Sequence, residues 1–139
     1  MCEDLVGKRV LIVEDSPILA FEMVDLLTDA GGQPVGPAHN LSAAQRFARM
    51  DALDAALLDI DLDGETVWPL ANELADQAVP IVFVSSECTG RKFPEQFRGC
   101  CCIEKPAVGS DILDGLVMAM KRLSAPQAAS FSSMSTDER

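Results

Sequence analysis

Apolar residues along the chain fall alternately into short continuous runs and helical stripes. Residues 8–14, KRVLIVE, are β-branched and apolar and read as a buried strand ending in Glu14-Asp15. Ser16-Pro17 follows, a capping serine ahead of a proline suited to the first helical turn, and Ile18, Leu19, Met23, Leu26 and Leu27 then recur at helical spacing until Gly31-Gly32. Residues 33–36 suggest a short second strand. Asn40 or Ser42 can cap a second helix carrying Leu41, Ala44, Phe47 and Ala48 on one face. A third strand is expected at 55–59, a helix at 67–78 with Pro69 near its start, a fourth strand at 81–84 and a fifth at 100–103. Ile112, Leu116, Val117 and Met120 mark a last amphipathic helix, with Ser110 or Asp111 as its cap.

Strands alternating with helices predict an α/β domain with a parallel sheet covered on both faces. The weakest crossover is 87–99, ECTGRKFPEQFRG, where Gly90 and Pro94 disfavour a long helix. The reading places one domain at 1–123 and a Ser/Ala-rich, mobile tail at 124–139. With 22 acidic against 11 basic side chains the net charge is −11, which argues against nucleic-acid binding. The sequence offers neither a membrane-length apolar run nor a signal-like start, so the expected location is the cytoplasm. Five cysteines, Cys2, Cys88, Cys100, Cys101 and Cys102, make a poor disulfide framework; in a reducing compartment most are expected as thiols. Cys100 and Cys102 would share one strand face and Cys101 the other, packing as small hydrophobes. Zinc would need about four convergent ligands, and the single histidine, His39, belongs to a distant loop.

DIDLDG, Asp59 to Gly64, imitates the start of a calcium loop. It lacks the bidentate glutamate at loop position twelve, where Leu70 stands after Pro69, and it lacks an entering helix. The expected strand ends offer another reading. Ligands of open α/β sheets gather beyond the carboxyl ends of the strands, and here those ends carry Glu14 and Asp15, Asp59, Ser85, and Glu104-Lys105-Pro106. Clustered carboxylates repel, a hard divalent cation such as Mg²⁺ relieves the repulsion, and a lysine and a hydroxyl beside them suit a phosphoryl group.

This ordered set, Glu14-Asp15, Asp59, Ser85 and Lys105-Pro106, resembles the receiver domain of two-component response regulators over residues 8–123. The resemblance implies a flavodoxin-like, doubly wound five-stranded parallel sheet in the order 2-1-3-4-5, here with a short or irregular fourth helix. It implies that Asp59 accepts a phosphoryl group from a histidine kinase or a histidine phosphotransfer protein. Mg²⁺ would be held by Glu14, Asp15, Asp59 and the backbone carbonyl of Asp61. Ser85 and Lys105 would contact phosphoryl oxygens, and Pro106 would follow Lys105 through a tight bond that can be cis. The chain would be a single-domain regulator, not an enzyme in its own right beyond assisting its own phosphorylation and dephosphorylation. It would signal by binding another protein, and homodimerisation is left open. Asp61 and Glu87 stand where family members tune acyl-phosphate lifetime.

The departures lie on the readout side. An aromatic three residues before the lysine is common in the family, and Cys102 stands there; the phenylalanine usual after Lys-Pro is Ala107. The Ser85-to-Lys105 spacing is also short. Two other functions follow from these departures: a phosphate-independent interaction module, and a thiol or metal sensor using Cys88 or Cys102. Trp68 is expected to pack at a helix start, and Met118 and Met120 to fill core or helix surface.

Overall fold

Strand β1 (Arg9–Val13) is interior to the sheet: all its residues after Arg9 are buried. In the computed structural model, which describes residues 3–89 and 93–124, β1 is followed by α1 (Pro17–Asp29), β2 (Gln33–Ala38), α2 (Leu41–Met50) and β3 (Ala55–Asp59). Next come α3 (Trp68–Asp76), β4 (Ile81–Ser85), β5 (Cys101–Glu104) and α4 (Gly109–Ser124). The five strands form one parallel sheet in the order β2-β1-β3-β4-β5. This is the doubly wound, flavodoxin-like receiver architecture that the resemblance implied.

Strand alternation divides the core into two layers. Leu11, Val13, Leu58 and Phe83 face one side, where α2 and α3 contribute Ala44, Ala48, Leu70 and Leu74. Val10, Ile12, Leu57, Val82 and Val84 face the other, covered by Met23 and Leu27 of α1 and by Ile112 and Leu116 of α4. Strands β3 and β4 are buried at every position, as expected for central parallel strands.

Local rules explain the element boundaries. Ser16 Oγ accepts from Leu19 N and caps α1, with Pro17 in the first turn. Asn40, rather than Ser42, caps α2 by accepting from Ala43 N at 2.8 Å. Neither Ser110 nor Asp111 caps α4, because the helix already begins at Gly109 and both lie in its first turn. Gly36 has φ +97°, and a Cβ there would meet Ala38 N at 2.8 Å and Ile12 O at 3.2 Å, so only glycine fits. The β1–β2 register skips at this point, between Leu11 and Val13, and β2 therefore runs to Ala38, past the expected end at residue 36.

The crossover from β4 to β5 differs most from a regular βαβ unit. Its described residues contain a single 3₁₀ turn, Glu95–Phe97, introduced by Pro94. Packing comes instead from an aromatic cluster in which Trp68 lies 5.5 Å from Phe83, 5.4 Å from Phe93 and 5.9 Å from Phe97. Trp68 is thus a packing residue at the start of α3, as expected. Met120 packs on the core, whereas Met118 is exposed. The tail expected at 124–139 lies, beyond Ser124, outside the described residues, as does Cys2. Among the described residues no helix is long and apolar enough to cross a membrane.

The expectation of thiols fails at two positions: Cys88 and Cys102 form a disulfide, with Cα atoms 5.9 Å apart. Cys100 and Cys101 are free thiols. They divide between the two core layers, Cys100 and Cys102 with one and Cys101 with the other, as strand alternation requires.

Candidate phosphoacceptor site

β1 and β3 are neighbours, and between them the winding of the sheet reverses, which opens a crevice at their carboxyl ends. The end of β1 delivers Glu14 and Asp15, and the last residue of β3 is Asp59. One carboxylate oxygen from each of the three lies within 4.8 Å of the others. Among the described residues this is the group of acidic, cysteine and histidine side chains close enough to share a cation. Glu14 is 1% exposed and Asp59 5%; Asp15 is the more accessible of the three.

Lys105, just past β5, crosses the site. Its Nζ lies 2.8 Å from Glu14 Oε1 and 3.3 Å from Asp59 Oδ2. The Lys105–Pro106 bond is cis. Glu14 Oε2 accepts from Ser16 N at 3.1 Å. The enclosed Oε1 has the ammonium as an ionic neighbour but no directed hydrogen bond. His39 Nδ1 lies 3.0 Å from the Glu14 carbonyl and donates to it in the tautomer protonated there. This positioning contact was not read from the sequence, which placed His39 in a distant loop. Only the β1–β2 pairing brings the two together, although the end of a second strand was the place to look.

DIDLDG is a strand end running into a tight hairpin. Asp61–Leu62 pairs with Glu65–Thr66, and Asp63-Gly64 turns between them with φ +49° and +89°. The Asp63 backbone N–H donates to Asp15 Oδ2 at 3.2 Å, fastening the turn to the carboxylate cluster. The calcium-loop resemblance ends there, because Leu70 is buried in α3 and no carboxylate occupies its place.

The electrostatics follow from this packing. Burial and the neighbouring Glu14 charge push the Asp59 carboxyl up from its ordinary 3.8 to about 7, against the opposing pull of Lys105. Burial alone would lower Lys105, but the close contact of its ammonium with the Glu14 carboxylate and the charge of Asp59 hold it above its ordinary 10.5. Two acids and one base are enclosed together, and Asp59 is the acid whose neutral form this enclosure favours.

An Asp59 carboxyl raised to about 7 stabilises the fold fully below pH 3.8, and this contribution is lost as pH rises through 7. Asp59→Asn should therefore raise metal-free stability at pH 8 by about 1–2 kcal/mol, roughly 3–6 °C in Tm. Melting curves with and without Mg²⁺ test this. An Asn variant that melts at or below the wild type in EDTA would refute the electrostatic account.

At the end of β4, Ser85 is fully buried. Its Oγ accepts from Glu87 N at 3.2 Å and donates to Glu87 O at 3.4 Å. Lys105 N donates to Ser85 O at 2.8 Å, so the backbones of β4 and β5 carry both residues to the crevice together. All the side chains singled out at the strand ends, Glu14, Asp15, Asp59, Ser85 and Lys105, therefore lie at one edge of the sheet.

No family model matches the chain. It is 24% identical over 120 residues to the transcriptional regulatory protein PdtaR of Mycobacterium tuberculosis, covering 84% of this chain and 58% of that protein. The chain thus spans little more than half the length of that relative. Solved structures with the same fold include SdrG from Sphingomonas melonis, 30% identical, covering 88% of this chain and 99% of the other with a TM-score of 0.68. A response regulator receiver protein from Sinorhizobium medicae is 20% identical, with 85% and 98% covered and a TM-score of 0.72. The receiver domain of sensor histidine kinase PA1611 from Pseudomonas aeruginosa, solved with magnesium in its active-site cleft, is 20% identical, with 83% and 98% covered and a TM-score of 0.68.

Proposed function

The chain belongs to the response-regulator receiver family, and we propose that it accepts a phosphoryl group on Asp59 and signals by protein–protein interaction. The observation that carries this reading is the arrangement of one lysine between two buried carboxylates, with a third carboxylate beside them. Such a set suits a phosphoryl group, whose transfer depends on alignment and charge neutralisation.

The residues fit Mg²⁺. Three carboxylates converge on one point, and the enclosed Glu14 Oε1 lacks a directed donor. Glu14, Asp15, Asp59 and the Asp61 carbonyl would hold the ion, and, when bound, it neutralises carboxylate and phosphoryl charge. Asp59 supplies the nucleophilic oxygen. It attacks phosphorus, a P–O bond forms, and the P–N bond to a phosphohistidine breaks, leaving the imidazole to take a proton. Lys105 moves its charge from the carboxylates to a phosphoryl oxygen, and the Ser85 hydroxyl donates to another. The donor would be a histidine kinase or histidine phosphotransfer protein in the cytoplasm, and the receiver of the signal another protein.

Full-length protein incubated with Mg²⁺ and acetyl phosphate should gain about 80 Da, one phosphoryl group. The gain should be absent from Asp59→Asn and from protein kept in EDTA. A folded wild type with no gain would favour a phosphate-independent interaction module, a reading that draws on the tethering of Cys102 in the disulfide.

A further inference from the structure

Outside the carboxylate cluster, the polar contacts of the loop after β4 converge on one covalent link. Cys88, in that loop, is joined to Cys102 in β5, which lies opposite Phe83 in the β4–β5 register. The same loop is held to β5 by a hydrogen bond from Cys88 N to Glu104 Oε1 at 3.0 Å, beside the end of the β4–β5 ladder, where Lys105 N donates to Ser85 O at 2.8 Å. Within it, the Ser85 hydroxyl is occupied in both directions by the Glu87 backbone. Glu87 is the immediate neighbour of Cys88, so the disulfide fixes the group that engages Ser85.

We propose that Cys88–Cys102 is a thiol–disulfide exchange site that gates the Ser85 hydroxyl, and through it phosphoryl acceptance at Asp59. The gate rests on the phosphoacceptor reading above. With the disulfide closed, Glu87 is pinned and Ser85 stays turned onto it. With the disulfide open, Cys88 keeps its hydrogen bond to Glu104 but loses its covalent link to β5, and a hydrogen bond opens far more readily than a covalent bond. Ser85 can then leave Glu87 and donate to a phosphoryl oxygen.

The chemistry is ordinary exchange. A dithiol reductant attacks one sulfur as its thiolate and the Cys88–Cys102 S–S bond breaks. Two electrons pass to the protein, the two sulfurs take up protons, and the reductant closes to its own disulfide. A disulfide oxidant reverses each step. Both cysteines are half-buried, within reach of a reagent from solution. The adjacent Cys100 and Cys101 do not compete readily, because burial raises both thiols above their ordinary 9.0 and leaves little thiolate to attack the bond.

The test uses full-length protein in two states, oxidised with oxidised glutathione and reduced with a phosphine. Peptide mapping should find Cys88 and Cys102 in one cross-linked pair only in the oxidised state. With Mg²⁺ and acetyl phosphate, the reduced protein should gain the phosphoryl mass roughly threefold or more faster than the oxidised protein. Cys88→Ser and Cys102→Ala, each shown folded by circular dichroism, should match the reduced rate in both conditions, while Cys100→Ser should keep the redox dependence. Equal rates in a wild type whose disulfide is verified would overturn the gate and leave the phosphoacceptor standing. Thiols at both positions after oxidation would also overturn it. No mass gain in either state would overturn the phosphoacceptor reading and the gate with it.

Discussion

Lys105→Met should lower stability at pH 7.5 by about 3 kcal/mol, in the range found when one partner of a buried ion pair is removed. The substitution keeps most of the apolar stem and deletes the one cation that meets both Glu14 Oε1 and Asp59 Oδ2. Two enclosed carboxylates would then face each other with no compensating charge. The sign of the pH dependence separates this cause from lost packing. Asp59, already raised to about 7, would take up a proton as pH falls, so the deficit of the variant should shrink toward pH 5 and grow toward pH 8. A packing defect would stay constant across that window. Mg²⁺ should rescue the variant more than the wild type, because it replaces the missing charge. On the proposed mechanism the rescue should not extend to phosphorylation, in which Lys105 would also face the phosphoryl oxygens. Urea titrations at three pH values, with and without Mg²⁺, check the stability half of this prediction; a pH-independent deficit would sink it.

The carboxyl end of the sheet was legible from the sequence for a physical reason. Central parallel strands must be apolar throughout, so the first polar residue after each run marks the edge where the chain leaves the sheet. Glu14, Asp59, Ser85 and Glu104 were each read in that way, and each lies at such an edge. Caps were legible where a side chain accepts a backbone N–H nearby, as Ser16 and Asn40 do. The start of α4 was not, because no side-chain cap marks Gly109. His39 and the disulfide were missed for a common reason. Each depends on the register between two strands, and register is set by the whole fold. Cys88 and Cys102 are 14 residues apart in sequence. Only once Ser85 is paired with Glu104, and Phe83 with Cys102, does the loop after β4 come down beside the middle of β5. An odd cysteine count argued against any pairing, and compartment chemistry argued for thiols; neither consideration contains geometry.

The irregular crossover and the disulfide belong together. A helix between β4 and β5 would cover the sheet and hold the loop after Ser85 by its own hydrogen bonds. Here the sequence carries Gly90 and Pro94, which disfavour such a helix, and the described part of the crossover is packed by Phe93 and Phe97 against Trp68 and Phe83. Among the described residues of the crossover a covalent tether at Cys88, rather than an α-helix, supplies the fixed point. The same tether removes the freedom of position 102, where an aromatic side chain is common in the family. If Asp59 is phosphorylated as proposed, a signal reaching this edge would have to travel through backbone movement of the loop and β5, because position 102 carries no ring to rotate.

Opening the disulfide should therefore cost stability as well as order. Its sequence separation of 14 predicts a loss of about 3 kcal/mol on reduction or in Cys102→Ser, roughly 10 °C in Tm. The Cα separation of 5.9 Å lies within the ordinary range for a disulfide, so closing the bond demands no displacement of the backbone that would offset the gain. Cys100→Ser, which removes a free thiol of the same strand region, should cost less than about 1 kcal/mol. Most of the disulfide's contribution acts on the unfolded chain, which it keeps from expanding. The urea m-value should consequently rise on reduction while the native spectrum stays the same, since a freer unfolded chain exposes more surface. Coincident titrations of oxidised and reduced protein would mean that the unfolded chain is already compact across this loop. A fall in midpoint with an unchanged m-value would locate the effect in the native packing around Phe83 and Phe97 instead.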